Sequence, residues 1–209
     1  MELSTWLTFF AAAWAISISP GPGAIASMSA GLNHGFKYGY VTIFGLVLGI
    51  WSQLAIVGIG LGALMATSGT AFTVVKWLGV GYLVWLGIQQ WRAPARPMVA
   101  LSDTGEVVTQ RSLILKAWMI NVVNPKGTVF LLAVVPQFIN VNHPLTPQYL
   151  IIGATLAFTD MVVMAGYTAL ASRVLGALKE PSHIRAMNRT FGSLFVLAGS
   201  LLALFKRSV

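Results

Sequence analysis

The sequence contains no cysteine and few charged residues. Asp, Glu, Lys and Arg make up 9% of the 209 residues, whereas a typical soluble domain carries about 25%. The absence of cysteine excludes disulfide bonds, thiolate metal sites and cysteine nucleophiles. Hydrophobic residues instead make up 56% of the chain. This composition predicts a multi-pass protein of the lipid bilayer.

Acidic residues are the scarcest charged type. The chain has 5 Asp and Glu against 13 Lys and Arg, which gives a formal net charge of +8. A basic chain can bind nucleic acid, but the basic residues of a membrane protein usually set its orientation. We therefore expect no nucleic-acid partner.

The apolar residues fall into six segments, each about as long as the roughly 20 residues that a membrane helix needs. The first begins after Glu2 without a nearby Lys or Arg, which favours a retained span over a signal peptide. We predict an all-α membrane protein with one domain, 1–209, in which a polar loop at 92–111 joins repeat one, 1–91, to repeat two, 112–209. The predicted spans are 5–30, 40–65, 72–91, 113–136, 149–172 and 190–205.

The distribution of Lys and Arg predicts the orientation. Because basic loops stay in the cytoplasm, the richer side is assigned there and both termini are predicted outside, in the periplasm. The pair Lys206-Arg207 at the C-terminus opposes this assignment. The basic residues assigned inside are Lys37, Arg92, Arg96, Arg111, Lys116, Arg173, Lys179, Arg185 and Arg189, against Lys76, Lys206 and Arg207 outside.

Proline and glycine interrupt the first and fourth segments at matching depth. The interruptions are Ser19-Pro20-Gly21-Pro22-Gly23 and Asn124-Pro125-Lys126-Gly127. Proline frees backbone polar groups, and within a membrane these must face protein or a wet cavity. A matched pair of broken helices in two three-helix halves is typical of the binding site of a secondary transporter built from inverted repeats. We therefore predict two inverted repeats with broken helices 1 and 4.

Sequence signatures of enzymes are missing. The chain has no H-E-x-x-H motif, no Walker A loop and no G-x-S-x-G motif. We expect a secondary active transporter without a cofactor, whose energy comes from a gradient unless another subunit supplies it. The three histidines are too dispersed along the chain to suggest a metal site.

Asp160 is the only acid inside any predicted span. A carboxylate at the bilayer centre costs about 3 kcal/mol on insertion scales, so it indicates a functional site by default. Such a group can exchange a proton, or swap a proton for a substrate ammonium. The alternatives are a fixed pair with Lys126 or a hydrogen bond that only clamps helices. Lys126 could instead meet a substrate carboxylate, or extend to the membrane interface.

Small polar residues flank both interruptions. Asn121 and Asn124 could satisfy carbonyls freed by Pro125 or contact a ligand, and Ser17 and Ser19 could do the same beside Pro20. Gly21 and Gly23 let the backbone approach a ligand closely. The N-terminus of a half-helix after Pro22 would favour an anionic group. The candidate binding or coupling residues are Asp160, Asn124, Pro125, Lys126, Asn121, Ser19, Pro20, Gly21, Pro22 and Gly23.

Two further patterns favour packing over ligand contact. Gln53 and Thr159 are polar and lie mid-span, where interhelical hydrogen bonding is the expected role. Gly45-x-x-x-Gly49 permits close helix approach, either in a homodimer or within the chain.

A set of short motifs along the chain carries a family resemblance. The motifs are Ser19-Pro20-Gly21-Pro22, Gly31-Leu32-Asn33-His34-Gly35, Lys76-Trp77-Leu78-Gly79, Tyr82 through Gly87, Asn121-x-x-Asn124-Pro125-Lys126, Pro136-Gln137-Phe138 and Asp160. With them the chain resembles, over nearly its whole length, the LysE/RhtB exporters of amino acids, and most closely their homoserine and homoserine-lactone efflux branch. The resemblance implies export of small amino acids, with threonine also in range, across the bacterial inner membrane, driven by the proton gradient.

These expectations combine into one mechanism. A substrate ammonium competes with a proton for Asp160 in a cavity that opens alternately to the two sides. Three rivals stay open: a cation exporter of the wider superfamily, a membrane enzyme acting on lipid, and a subunit that does not itself transport. One acid and no cysteine make a poor divalent-cation site.

Overall fold

The computed structural model describes residues 1–65, 69–95, 109–177 and 180–204. All regular structure in these ranges is helical, which confirms the all-α prediction. Residues 96–108 of the predicted polar loop, Lys179, and the C-terminal Lys206 and Arg207 lie outside the described residues. The helices are α1 (Leu3–Ile18), α2 (Pro22–His34), α3 (Phe36–Met65), α4 (Gly69–Arg92), α5 (Gln110–Val122), α6 (Pro125–Phe138), α7 (Leu145–Ala169), α8 (Ala171–Ala177) and α9 (Pro181–Leu204).

Two of these helices are long and apolar enough to cross a membrane by themselves. They are Phe36–Gly60 within α3, with a mean hydropathy of 2.0, and Leu145–Ala169, with 1.7. The pairs α1–α2 and α5–α6 also pass when each is counted as one bent span. In the described residues α4 and α9 do not pass the same test. Four of the six predicted spans are therefore supported by length and composition.

Both predicted interruptions are present as bends of 55°. At the first, α1 ends at Ile18 and α2 begins at Pro22. At the second, α5 ends at Val122 and α6 begins at Pro125. Proline fits the first position of a helix, where a missing N–H costs nothing and the fixed φ suits the helix. Each span therefore stops and restarts at its proline instead of continuing straight.

The restart at Pro125 has a side-chain cap. The Asn124 side-chain oxygen accepts a hydrogen bond from the Lys126 backbone N–H at 3.1 Å. This bond satisfies one of the first N–H groups of α6, which have no partner within the helix. Asn124 therefore fixes the direction in which α6 leaves the break.

Glycines allow α3 to lie very close to α5. A Cβ atom built on Gly49 would lie 2.6 Å from the Cβ of Asn121, and one on Gly45 would lie 2.8 Å from that of Ala117. Real Cβ atoms do not approach so closely. The Gly45-x-x-x-Gly49 motif therefore serves packing within the chain, not a dimer contact. A similar contact joins α4 to α9, where a Cβ on Gly87 would lie 2.6 Å from the carbonyl oxygen of Gly192.

Two apolar cores lie on either side of the bends. One contains Phe9, Leu83 and Phe130 and joins α1, α4 and α6 to parts of α3, α7 and α9. The other contains Met28 and Leu46 and joins α2, α3, α5, α7 and α8. The region of the bends is lined by residues of both cores, and a cavity opens there.

Candidate functional site

The cavity at the bends has a volume of about 90 Å³, enough for several water molecules. It is enclosed by the end of α1, the start of α2, both helices of the second bend, and the middles of α3 and α7. Pro20, Pro22 and Pro125 shape the bends but do not line it. The candidate residues that do line it are Ser19, Gly21, Gly23, Asn121, Asn124, Lys126 and Asp160.

Lys126 connects the two bends. Its Nζ donates to the Ser19 hydroxyl oxygen at 2.6 Å and to the Ser19 carbonyl oxygen at 2.8 Å. The lysine is half-buried. A lysine ammonium has three donors, so one remains for a group inside the cavity. The interaction joins positions that lie 107 residues apart in sequence.

At the first bend, side chains from other helices donate hydrogen bonds to the backbone carbonyls that the break leaves free. The Tyr167 hydroxyl of α7 donates to the carbonyl of Ile18, the last residue of α1. Lys126 occupies the next carbonyl, that of Ser19. Ser17 does not cap this end, because its hydroxyl is hydrogen-bonded to that of Thr159 in α7 at 3.1 Å. The expected role of Thr159 as an interhelical contact is confirmed.

At the second bend, the side chain of Gln53 in α3 donates hydrogen bonds to backbone carbonyls in the same way. Its Nε2 lies 2.7 Å from the carbonyl oxygen of Asn121 and 3.1 Å from that of Asn124. The same nitrogen lies 2.9 Å from the hydroxyl of Thr128. Gln53 is therefore the interhelical hydrogen-bonding residue that its mid-span position predicts, and it also lines the cavity.

The side chain of Asn121 binds a carbonyl of α3 and not the carbonyls freed beside Pro125. Its side-chain Nδ2 donates to the carbonyl oxygen of Leu46 in α3 at 2.6 Å. The carbonyls freed beside Pro125 are instead bound by Gln53. The amide of Asn121 thus fastens α5 to α3 at the cavity wall, where the glycines bring these helices together.

Asp160 lies on α7 and faces the cavity, half-buried. Within the described part of the chain its carboxylate forms no hydrogen bond and no ion pair with Lys126, although the two opposite charges attract each other across the cavity. The lysine is held by Ser19 instead. Both charged groups therefore retain capacity to interact with a molecule in the cavity.

The backbone adds positive potential to the same space. Helices α2 and α6 both begin at the cavity, where Gly23 and Gly127 line it. A helix N-terminus carries partial positive charge and unpaired N–H groups. The start of α2 lacks a side-chain cap, since its N-cap residue is Gly21. An anionic group in the cavity would therefore be favoured near these termini and Lys126, away from Asp160.

Apart from Ser17, the rest of the wall is apolar, and the sequence does not indicate it. An apolar residue in an apolar span gives no sequence signal that separates a cavity wall from core or lipid contact. Tyr167, which satisfies the first bend, was missed for a related reason, since tyrosine is common in membrane helices. The apolar wall residues are Ile16, Ala24, Leu46, Ile50, Phe130, Leu131, Leu156 and Met164.

Comparison with known families decides the affiliation of the chain. The family model described as LysE type translocator matches residues 14–205, which include both bends and the entire cavity lining. The chain belongs to the LysE type translocator family. Membership makes it a transporter of the membrane and not an enzyme, in agreement with the absence of enzyme motifs.

Similar proteins align with this translocator over nearly its full length. The homoserine/homoserine lactone efflux protein of Salmonella typhimurium is 42% identical over 97% of this chain and 98% of its own length. A membrane protein of Vibrio cholerae is 43% identical over 99% of this chain and 100% of its own length. The leucine efflux protein of Enterobacter sp. strain 638 is 30% identical, over 93% of this chain and 92% of its own. No solved structure matches the chain.

The described residues give no support to the cation-exporter alternative. They contain no group of three or more His, Asp or Glu side chains close enough to hold a metal ion. The cavity instead offers one carboxylate, one ammonium and helix N-termini. This set of charges suits a small molecule with both an ammonium and a carboxylate.

Proposed function

We propose that this translocator exports homoserine, homoserine lactone and similar small amino acids such as threonine across the bacterial inner membrane by proton antiport. The observation that carries the proposal is the cavity between matching bends, where Asp160 and Lys126 face the same space without pairing. The name of the Salmonella relative supports homoserine and its lactone as substrates, and that of the Enterobacter relative supports amino-acid efflux more broadly.

The charges of the cavity match those of an amino acid. The substrate ammonium binds the Asp160 carboxylate, and the substrate carboxylate binds the free donor of Lys126 near the start of α2. Homoserine lactone keeps the ammonium but has no carboxylate. A carrier of both compounds must therefore depend chiefly on the contact with Asp160.

Proton coupling follows from competition at one carboxylate. The Asp160 carboxylate binds either the substrate ammonium or a proton. The two cannot bind it at the same time, because a protonated carboxyl group has no negative charge to attract the ammonium. When the cavity opens to the more acidic periplasm, protonation of Asp160 releases the substrate. When it opens to the cytoplasm, loss of the proton restores the site for the next molecule. Each cycle then exchanges an exported substrate for an imported proton.

An inverted-repeat architecture with six spans explains the paired roles of α3 and α7. In that scheme α3 is the middle span of repeat one and α7 is the middle span of repeat two. Gln53 of α3 binds the carbonyls of the bend in repeat two, and Tyr167 of α7 binds a carbonyl of the bend in repeat one. Each middle span thus supports the broken helix of the opposite half. Both termini lie in the periplasm.

Counterflow in proteoliposomes that contain only this chain tests the proposal. Vesicles are loaded with unlabelled homoserine, and entry of labelled homoserine is followed with and without an imposed pH gradient. We expect uptake well above that of empty vesicles, changed in rate by the gradient. If correctly inserted protein moves neither homoserine nor any of a panel of small amino acids and lactones, the proposal is wrong and a non-transporting subunit is favoured.

A further inference from the structure

A second and larger cavity lies beside the charged one. Its volume is about 350 Å³, and it is lined by α1, α4, α6 and α9. Its wall is apolar except for Thr8 and Gln137. Ligand pockets in proteins typically combine an apolar wall of this kind with a few isolated polar groups. The mechanism proposed above makes no use of this space.

The two cavities share part of their walls. Ile16 and Phe130 line both of them. Phe195 lines the second cavity, and the centre of its ring lies 5.8 Å from Nζ of Lys126, which lines the first. A molecule bound at Lys126 and Asp160 therefore has the apolar space directly beside it, beyond the rings of Phe130 and Phe195.

The second cavity leads away from the charges over a length that fits an extended side chain. Along α6 it runs from Phe130 to Gln137, a distance of about 10 Å at 1.5 Å per residue. Along α1 it runs from Ile16 to Thr8, a distance of about 12 Å by the same rise. A chain of several methylene groups spans such a length.

The polar groups of this cavity differ in how they are satisfied. The Thr8 hydroxyl donates to the Ser4 carbonyl oxygen at 3.0 Å. Gln137 is 6% exposed, and its Nε2 has no hydrogen-bond partner among the described residues. A buried amide without a partner is costly. An apolar chain offers this amide no hydrogen bond, so Gln137 bounds the far end of the cavity without contributing a polar contact to such a ligand.

We propose that the second cavity is a subsite for the apolar side chain of a substrate whose charged end binds at Asp160 and Lys126. The substrate class is α-amino acids with long, unbranched apolar side chains. The apolar group must be carried on the side chain and not on the amino nitrogen, because N-acylation removes the positive charge that Asp160 binds. This inference rests on the proposed amino-acid transport and extends it to larger substrates.

A homologous series of competitors tests the subsite. 2-Aminobutyrate, norvaline, norleucine and 2-aminoheptanoate are added in turn to homoserine counterflow in proteoliposomes of the full chain. Burial of each methylene is worth about 0.8 kcal/mol, which is about a fourfold gain in affinity. We expect the inhibition constant to fall by about this factor with each added methylene, and N-acetylnorleucine not to compete.

A cavity-filling variant tests whether the dependence of inhibition on chain length arises in the second cavity. Ala12→Leu places a larger side chain in the second cavity, where Ala12 lies on the wall. It should flatten the chain-length series while leaving homoserine transport unchanged. Ala55→Leu makes the same chemical change at an exposed position of α3 and should leave the series intact.

The outcomes separate the two proposals. A steep series in the wild type that is lost in Ala12→Leu and kept in Ala55→Leu establishes the subsite. A flat series in vesicles that do transport homoserine overturns the subsite and leaves the proposed function intact. A series that stays equally steep in Ala12→Leu also overturns it. Failure of homoserine and every amino acid to exchange contradicts the proposed function itself.

Discussion

Lys126 Nζ donates a hydrogen bond of 2.6 Å to the Ser19 hydroxyl oxygen and a second, of 2.8 Å, to the Ser19 carbonyl oxygen. Ser19 is the C-cap residue that follows α1, and Lys126 lies in the first turn of α6. One side chain thus ties together the breaks of the two bent spans. Because hydrogen bonds to charged groups contribute about 1.5–3 kcal/mol each, this contact sets the relative position of the bends at the cavity.

A double-mutant cycle should detect the interaction between Ser19 and Lys126. Ser19→Ala and Lys126→Met are made singly and together, and unfolding is followed in detergent with a denaturant. We expect a coupling free energy of about 1–2 kcal/mol between the two positions, because Ser19→Ala removes the hydroxyl contact while its carbonyl contact remains.

Ser112 supplies the control for this cycle. Its hydroxyl belongs to the N-terminal cap of α5, far from Lys126 along the bent span. The pair Ser112→Ala and Lys126→Met should be additive within about 0.5 kcal/mol. Additivity of the Ser19 pair to the same degree would show that the contact does not connect the bends.

Gln53→Leu should destabilise the second bend. The substitution keeps a similar volume but removes the side-chain donor that Asn121 and Asn124 carbonyls share, and leaves them with their local partners alone. Each hydrogen bond lost costs about 0.5–1.5 kcal/mol, so thermal unfolding in detergent should occur at a lower temperature and transport should fall. Gln89→Leu, the same change on an exposed face of α4, should unfold like the wild type. Equal midpoints for both variants would argue against this role of Gln53.

Gly45→Ala should push α3 away from α5. The added methyl would lie 2.8 Å from the Cβ of Ala117 and also against the backbone of Ile114, which cannot yield as a side chain can. We expect overpacking to cost about 1–3 kcal/mol and to reduce transport. Gly60→Ala lies on the same helix with no atom within 4 Å of the added methyl, so it should be neutral or slightly stabilising. The stabilities of the two variants are compared in detergent. Equal stability would refute the role of Gly45 in packing α3 against α5.

The location of the bends could be predicted from the sequence because proline and glycine act locally. Pro22 and Pro125 disfavour a helix that continues straight through them, and both begin a new helix in the structure. The partners at the bends could not be predicted in the same way. Whether Asn121 binds a carbonyl beside Pro125 or that of Leu46 depends on which helix lies alongside, and a single sequence does not contain that information.

The same reasoning explains the outcome for the glycine motif and the cavities. Gly45 and Gly49 predict a close contact but not its partner, which the structure identifies as α5. Asp160 and Lys126 are conspicuous because charge is rare in an apolar span. Phe130 and Phe195 carry no such signal, so the apolar cavity beside the charges could be found only from the structure.

The absence of cysteine allows a direct test of the orientation. Asn142→Cys lies in the exposed loop between α6 and α7, and Glu180→Cys lies in the exposed segment before α9. The distribution of basic residues predicts that Asn142 is outside and Glu180 inside. A membrane-impermeant maleimide applied to intact cells should therefore label Asn142→Cys at once, and label Glu180→Cys only after permeabilisation. The opposite pattern would invert the orientation, and labelling of both in intact cells would exclude an odd number of spans between them.

The central claim is that Asp160 couples proton movement to substrate exchange, and one comparison tests it most directly. Wild-type protein, Asp160→Asn and Asp160→Glu are reconstituted at equal density, and homoserine uptake driven by an imposed pH gradient is measured. Asn has nearly the same shape as Asp but does not titrate, so this variant should insert normally and lose gradient-driven uptake by at least about tenfold, because a group that cannot take up a proton cannot act as the acid or base. Asp160→Glu should retain part of the uptake. Full gradient-driven uptake by Asp160→Asn would contradict the account.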